Sequence, residues 1–169
     1  MKMENQPIQH NSKTRLPRLE RVSKSKRPPF RMTPRDEEIL RAVYQYRVLT
    51  SHQIERLLFI QPGNPRPKNT RCNWRLQGLY HHGYLARDEQ PRKITEGSKP
   101  LIYLLDKLGA EHLAQTNGLF TSQLDWRPSH NRLSFLFINH LLASNDIRIA
   151  VKLACDLHED YRLLRWFDE

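Results

Sequence analysis

Between Pro67 and Arg87 the chain reads PKNTRCNWRLQGLYHHGYLAR, with arginines at 71, 75 and 87, a lysine at 68, adjacent histidines at 81 and 82, and no acidic residue. Side chains of these types bind polyanions: Arg and Lys hold phosphates, Arg also bonds guanine O6 and N7, Gln pairs with adenine, and the Thr methyl meets that of thymine. On a helical wheel at ~100° per residue, Cys72, Leu76, Leu79 and Gly83 fall together as an inward face. Trp74 and His81 point nearly opposite, Thr70 and Gln77 lie close by, and Arg71, Arg75 and His82 share one flank. The segment has an apolar side to sit on and a basic, polar, aromatic side to present. Arg71 is the candidate for a base contact, with phosphate as its alternative, whereas Lys68 and Arg75 read as phosphate clamps. Trp74 either stacks on sugar and base edges or packs under a neighbour. His81 and His82 read as a helix-end pair favoured by the negative end of the helix dipole.

Other chemistries find less support. A metal-dependent nuclease needs carboxylates around Mg²⁺ beside a positioned lysine, and no Pro-Asp followed by Asp/Glu-x-Lys occurs. Relaxases of the rolling-circle kind need two histidines flanking one apolar residue, whereas His81 and His82 are adjacent. Arg75 and His81 have a spacing seen in some helical RNases, but Leu76 and Leu79 already account for that helix as a docked reader. Asp156, His158, Glu159 and Asp160 form an acidic cluster that reads as a solvated turn. No glycine-rich phosphate loop is present. Neither an enzyme, nor a cofactor, nor a bound metal is expected.

The basic helix must be positioned by its neighbours. In MTPRDEEILRAVYQYRVLT, Thr33 suits an N-cap, Pro34 the first helical position and Asp36 the capping-box carboxylate, and Ile39, Leu40, Val43 and Tyr46 make an apolar face. Thr50 and Gln53 repeat the box ahead of a short helix, SHQIERLLF, and QPGNPRP is then a loop. The basic helix is predicted from about Lys68 to His82, stopped by Gly83. Tyr84-Leu85-Ala86-Arg87 and LIYLL read as two strands joined by the polar stretch DEQPRKITEGSKP. Asp106 caps a further helix ending near Gly118. Helix, helix, helix, strand, loop, strand is the order of a winged helix-turn-helix, here over residues 32–118, with Arg92, Lys93 and Lys99 of the hairpin loop able to reach the minor groove or backbone.

Charge supports the same direction. The 169 residues carry a net +10. Residues 1–32 hold nine Lys/Arg against two Glu, a net of +7, leaving +3 for the rest. Residues 1–31 lack periodicity and contain Pro7, Pro17, Pro28 and Pro29, so they are predicted to be an unstructured basic arm, with Lys24, Lys26 and Arg27 gripping DNA through counterion release. With 38% hydrophobic and 27% charged residues and a mean hydropathy of −0.75, the chain reads as a globular protein with no membrane span. Two cysteines, Cys72 and Cys155, and no apolar leader point to a reducing, cytoplasmic setting.

The runs MTPRDEEILRAVYQYRVLTSHQIERLLF, RLQGLYHHGYL and LIYLLDKLGAEHL, in that order, resemble the replication-relaxation proteins, winged-helix factors of plasmids and other mobile elements. The resemblance covers about Thr33 to Leu113, and SHNRLSFLFINHLL is similar to a histidine-led helix that follows the wing in that family. It implies DNA binding in replication or copy-number control, with Arg75 and Leu76 matching a recurrent Arg-Leu of the recognition helix. LLDKLG departs from the LTPAG-like sequence usual there. Longer members continue past the position of RWFDE into a segment that looks like a restriction-nuclease fold.

Residues 119–169 are predicted to form an α/β extension: a heavily apolar helix, SHNRLSFLFINHLLAS, and two strands, DIRIAVKLACDL and YRLLRWF. Either those strands or a second copy of the chain would bury the helix, the latter as a homodimer. The expectation is thus a mainly α protein with a small β-hairpin that binds specific double-stranded DNA to regulate replication, copy number or transcription. The alternative is an adaptor that docks a replication protein or positions a nuclease or relaxase. RNA binding by the same surfaces is a third reading.

Overall fold

The computed structural model describes residues 16–60, 70–90, 95, 97–158 and 160–167. Among the described residues, five α-helices, α1 (Pro34–Tyr46), α2 (Ser51–Leu58), α3 (Thr70–His81), α4 (Lys107–Thr116) and α5 (Phe135–Asp156), accompany three strands, β1 (Val48–Thr50), β2 (Leu85–Asp88) and β3 (Ile102–Leu105). The protein is mainly helical, with one small antiparallel sheet in the order β1-β3-β2.

Helix starts follow the local chemistry. Asp36 Oδ2 accepts from Thr33 N at 2.7 Å and from Thr33 Oγ1 at 2.6 Å. Thr50 and Gln53 exchange reciprocal bonds of 2.9 and 3.1 Å, and Asp106 Oδ1 accepts from Lys107 N at 2.7 Å. These three caps satisfy backbone donors that the helices cannot. Gly83, at φ 83°, ends α3 in the left-handed conformation that glycine tolerates best.

Strand β1 was not anticipated. Arg47, at φ 61°, turns the chain out of α1, and Val48, Leu49 and Thr50 pair with Leu104, Tyr103 and Ile102. Three residues are too few for an alternation signal. The central strand β3 is buried on both faces, which explains why LIYLL is apolar throughout. Leu49, Tyr103 and Leu105 face the main core with Ile39, Leu40, Val43, Leu76, Leu79 and Leu113. Val48, Ile102 and Leu104 face the opposite way, onto Ile138, Leu141 and Leu142 of α5.

Two expectations need correction. DIRIAVKLACDL is not a strand: it is the second half of α5, and YRLLRWF is irregular. Ile147, Ile149 and Val151 alternate as a strand would, but the buried face runs Ile138, Leu141, Leu142, Asn145, Arg148, Ile149, a helical spacing hidden by two polar members. Asn145 Nδ2 donates to Tyr46 O at 3.1 Å and Val48 O at 2.7 Å. Arg148 donates to Gln45 O at 3.3 Å and stacks 4.1 Å over the Tyr46 ring. Both side chains serve carbonyls freed where α1 gives way to β1.

The second correction concerns the arm. Residues 16–31, the described part of the predicted arm 1–31, form a strap across the domain instead of a free tail, and residues 1–15 lie outside the described residues. Tyr80 Oη donates to Leu19 O. Arg21 donates to Tyr80 O at 2.9 Å and Leu85 O at 2.8 Å and pairs with Asp106. Arg87 reaches Pro17 O at 3.1 Å. Phe30 stacks on His82 at 4.9 Å. A Cβ at Gly78 would stand only 2.7 Å from the Phe30 ring, so the missing side chain in mid-helix is what lets the strap lie close. Extended proline-containing segments are held this way by side-chain bonds to distant backbone, which leave no periodicity to read.

Replacing Asn145 by Ala leaves two buried carbonyls without donors. Urea unfolding of Asn145→Ala should show a loss of about 1–3 kcal/mol, whereas Asp156→Ala, at the exposed end of the same helix, should stay within about 0.5 kcal/mol.

Candidate nucleic-acid interface

Helix α3 lies with Cys72, Leu76, Leu79 and Tyr80 in the core. Thr70, Arg71, Asn73 and Trp74 are exposed and Gln77 is half-buried. Trp74 is 65% exposed, so among the described residues it does not pack under a neighbour. It stands as a ridge between two grooves. One, of about 580 Å³, runs between α3 and the β2–β3 hairpin and includes Thr70, Asn73, Gln77, Arg87 and Lys99. The other, of about 540 Å³, lies toward α2 and includes Arg71, Arg35 and Phe59. Arg71 makes no hydrogen bond or ion pair among the described residues.

Arg75 is a different matter. Its Nε donates to Asp36 Oδ1 at 2.7 Å, one Nη bonds Asp36 Oδ2, and the same Nη donates to Arg31 O at 3.0 Å. The guanidinium lies 4.9 Å from the Phe30 ring, and its side chain is only 18% exposed while that of Asp36 is fully buried. The guanidinium expected as a phosphate clamp is therefore engaged within the fold. A planar fork matched to a buried carboxylate is a structural tie between α3, the strap and the start of α1. The wheel placed Arg75 on the flank; it could not show which acid waited there.

His81 also departs from expectation. It shares the side of α3 that carries Trp74 but is buried, because the strap crosses the last turn. Val22 N donates to His81 Nδ1 at 3.5 Å. Burial first, then the charges of Arg87, His82, Arg21 and Arg27, lowers its pKa to about 4. The ring is neutral at pH 7, so it is no cation for the helix dipole. Lys24 and Lys26 form an exposed 3-10 turn on the strap between Val22, at His81, and Arg27, whose charge is felt there. The strap, with the exposed Lys24 and Lys26 on it, thus covers the C-terminal turn of α3; among the described residues the first two turns are left open, with Leu16, Pro17 and Arg18 at the side of the larger groove.

The remaining expected residues are distributed unevenly. Lys99 sits at the groove beside Trp74 and Gln77. Lys68, Arg92 and Lys93 lie outside the described residues. Cys72 is no nucleophile: its thiol is buried and pushed up to about 12, chiefly by that burial. Asp156 closes α5 in an ion pair of 2.7 Å with Lys152, and among the described residues no group of three His, Cys, Asp or Glu side chains is arranged to hold a metal. Among them, too, no helix is long and apolar enough to cross a membrane.

Residues 40–169 match the family model described as replication-relaxation. The chain belongs to the replication-relaxation family. No curated protein and no solved structure matches it. The family match begins within α1 and continues through α5, so it takes in α3, the sheet and the helix behind it, and membership ties the chain to replication. Of the Arg75-Leu76 pair that matches the recurrent Arg-Leu of the resemblance, Arg75 bonds Asp36 and Leu76 lies in the core.

Two measurements test this geometry. Arg75→Ala should lower the unfolding free energy by about 3–5 kcal/mol, since it strands a buried carboxylate, whereas Arg71→Ala and Trp74→Ala should change it by about 0.5 kcal/mol or less. For His81, the unfolded chain takes up a proton near the ordinary value of 6.5 while the folded chain resists it to about 4. Its contribution is therefore complete above pH 6.5, declines as pH falls toward 4, and levels off below. Denaturant midpoints across that range should fall less steeply for His81→Phe.

Proposed function

We propose that the chain is a winged helix-turn-helix protein that binds specific double-stranded DNA and regulates replication, copy number or transcription of a plasmid or other mobile element. In this reading α2 and α3 are the helix-turn-helix, α3 is the recognition helix, and the loop between β2 and β3 is the wing. The observation that carries it is the open face on the first two turns of α3, where Thr70, Arg71, Asn73, Trp74 and Gln77 stand exposed or half-exposed with no acid among them. Recognition helices present their N-terminal residues to base edges in the major groove. Arg71 reads a base or grips a phosphate, Gln77 and Thr70 offer amide and methyl contacts, and Trp74 lies along the sugar-phosphate wall. Lys24, Lys26, Arg27 and Lys99 supply the sequence-independent attraction. The chain acts by binding, not catalysis, without metal or cofactor, in the cytoplasm. The exposed indole of Trp74 favours one second reading, in which the same ridge docks a replication or nuclease protein.

Selection of bound fragments from random duplexes, followed by band shifts at several salt concentrations, tests the proposal. Arg71→Ala should cost about 1–3 kcal/mol on the selected site and little on other duplexes. Lys24→Ala combined with Lys26→Ala should weaken all duplexes alike and reduce the salt slope by about 2. A protein that leaves duplex DNA unshifted in dilute buffer would sink the reading, and binding of single strands or duplex RNA in preference would redirect it.

A further inference from the structure

Helix α5 is apolar on two opposite faces. One is buried, with Ile138, Leu141 and Leu142 against the sheet and Ile149 joining the main core. The other is exposed and runs Leu136, His140, Ala143, Ile147, Ala150, Ala154, in alternating steps of four and three residues. A solvated helix face normally carries charge, yet these six positions include no Lys, Arg, Asp or Glu. Leu136 is 77% exposed and Ile147 61%. Steps of four and three are the spacing by which one helix packs along another.

We propose that this outer face of α5 is the interface of a homodimer in which two α5 helices pack antiparallel. The series is complementary to itself in that direction alone. Aligned about Asn145, Leu136 meets the other copy's Ala154, His140 its Ala150, and Ala143 its Ile147. Each bulky side chain then faces a small one, as close packing requires. Parallel pairing would instead set Leu136 on Leu136 and Ala143 on Ala143, leaving alternate crowding and gaps. At the two-fold axis the nearest charge is Asp146. It is already engaged by Gln53 Nε2 at 3.0 Å and Arg56 Nη1 at 3.4 Å, so two copies approach there without bare like charges.

The extent of the face is also adequate. From residue 136 to 154 the helix runs about 27 Å. Phe135, Phe137, Val151 and Leu157 are exposed beside the stripe. With on the order of 100 Å² exposed on each large side chain, the face offers roughly 600 Å² per copy, near the ~800 Å² per partner of a standard interface. The two-fold axis would present two α3 helices symmetrically, as a two-fold DNA site demands. The inference itself does not depend on DNA binding, because association is measured without it.

Sedimentation of the full chain at micromolar concentration is the test. Wild type should sediment as a dimer, and Ile147→Glu as a monomer with unchanged helical circular dichroism. Ala143→Ile and Ile147→Ala should each weaken the dimer about tenfold or more, while the two together exchange bulk across the interface and should recover it to within about threefold. Should Ile147→Glu fail to fold, the exchange decides alone. A wild-type monomer, a dimer indifferent to these changes, or a double variant as weak as the singles would overturn the proposal.

Discussion

The contact between Arg75 and Asp36 organises the exposed face of α3, the candidate nucleic-acid interface. Asp36 closes the capping box of α1 and at the same time receives the guanidinium of α3, so one carboxylate serves two helices. Arg75 in turn bonds Arg31 O and lies against Phe30, which brings in the strap. A buried ion pair contributes little net stability compared with apolar residues of the same shape, but it tolerates few alternative geometries. Its effect here is to set the rotation of α3 about its axis. With Arg75 held on one flank and Leu76 and Leu79 in the core, Arg71 and Trp74 have no place to turn except outward.

Much of this was legible in the sequence because it was written locally. Thr33 with Asp36, Thr50 with Gln53, Asp106 and Gly83 mark ends through bonds that span three residues or fewer, or through one backbone angle. The inward face of α3 was legible for the same reason, since Cys72, Leu76 and Leu79 repeat within three turns. What escaped reading depends on partners far along the chain. Arg75 looked free because its acid lies 39 positions away. His81 looked exposed because the residues that cover it come from an apparently structureless arm. Helix α5 looked like helix then strand because Asn145 and Arg148 interrupt its buried face, and their carbonyl partners belong to α1 and β1.

Helix α5 also changes how the sheet is understood. A three-stranded sheet this short could leave one side to solvent, yet Val48, Ile102 and Leu104 need cover, and Ile138, Leu141 and Leu142 supply it. Gln53 strengthens the link by donating to Leu142 O at 2.9 Å. Helices α2 and α5 are thereby tied together behind the groove that the exposed face of α3 borders. Any shift of α5 would be felt at α2 and, through it, at the mouth of that groove.

The strap bears on the order in which the chain can mature. Arg21 is synthesised before its acceptors Tyr80, Leu85 and Asp106, which follow 59, 64 and 85 residues later. Among the described residues, the strap therefore lacks these partners until the third helix, the hairpin and the cap of the fourth have been synthesised. Contacts of such long sequence separation form late in folding. Until those partners are in place, no described contact holds the strap over the imidazole of His81.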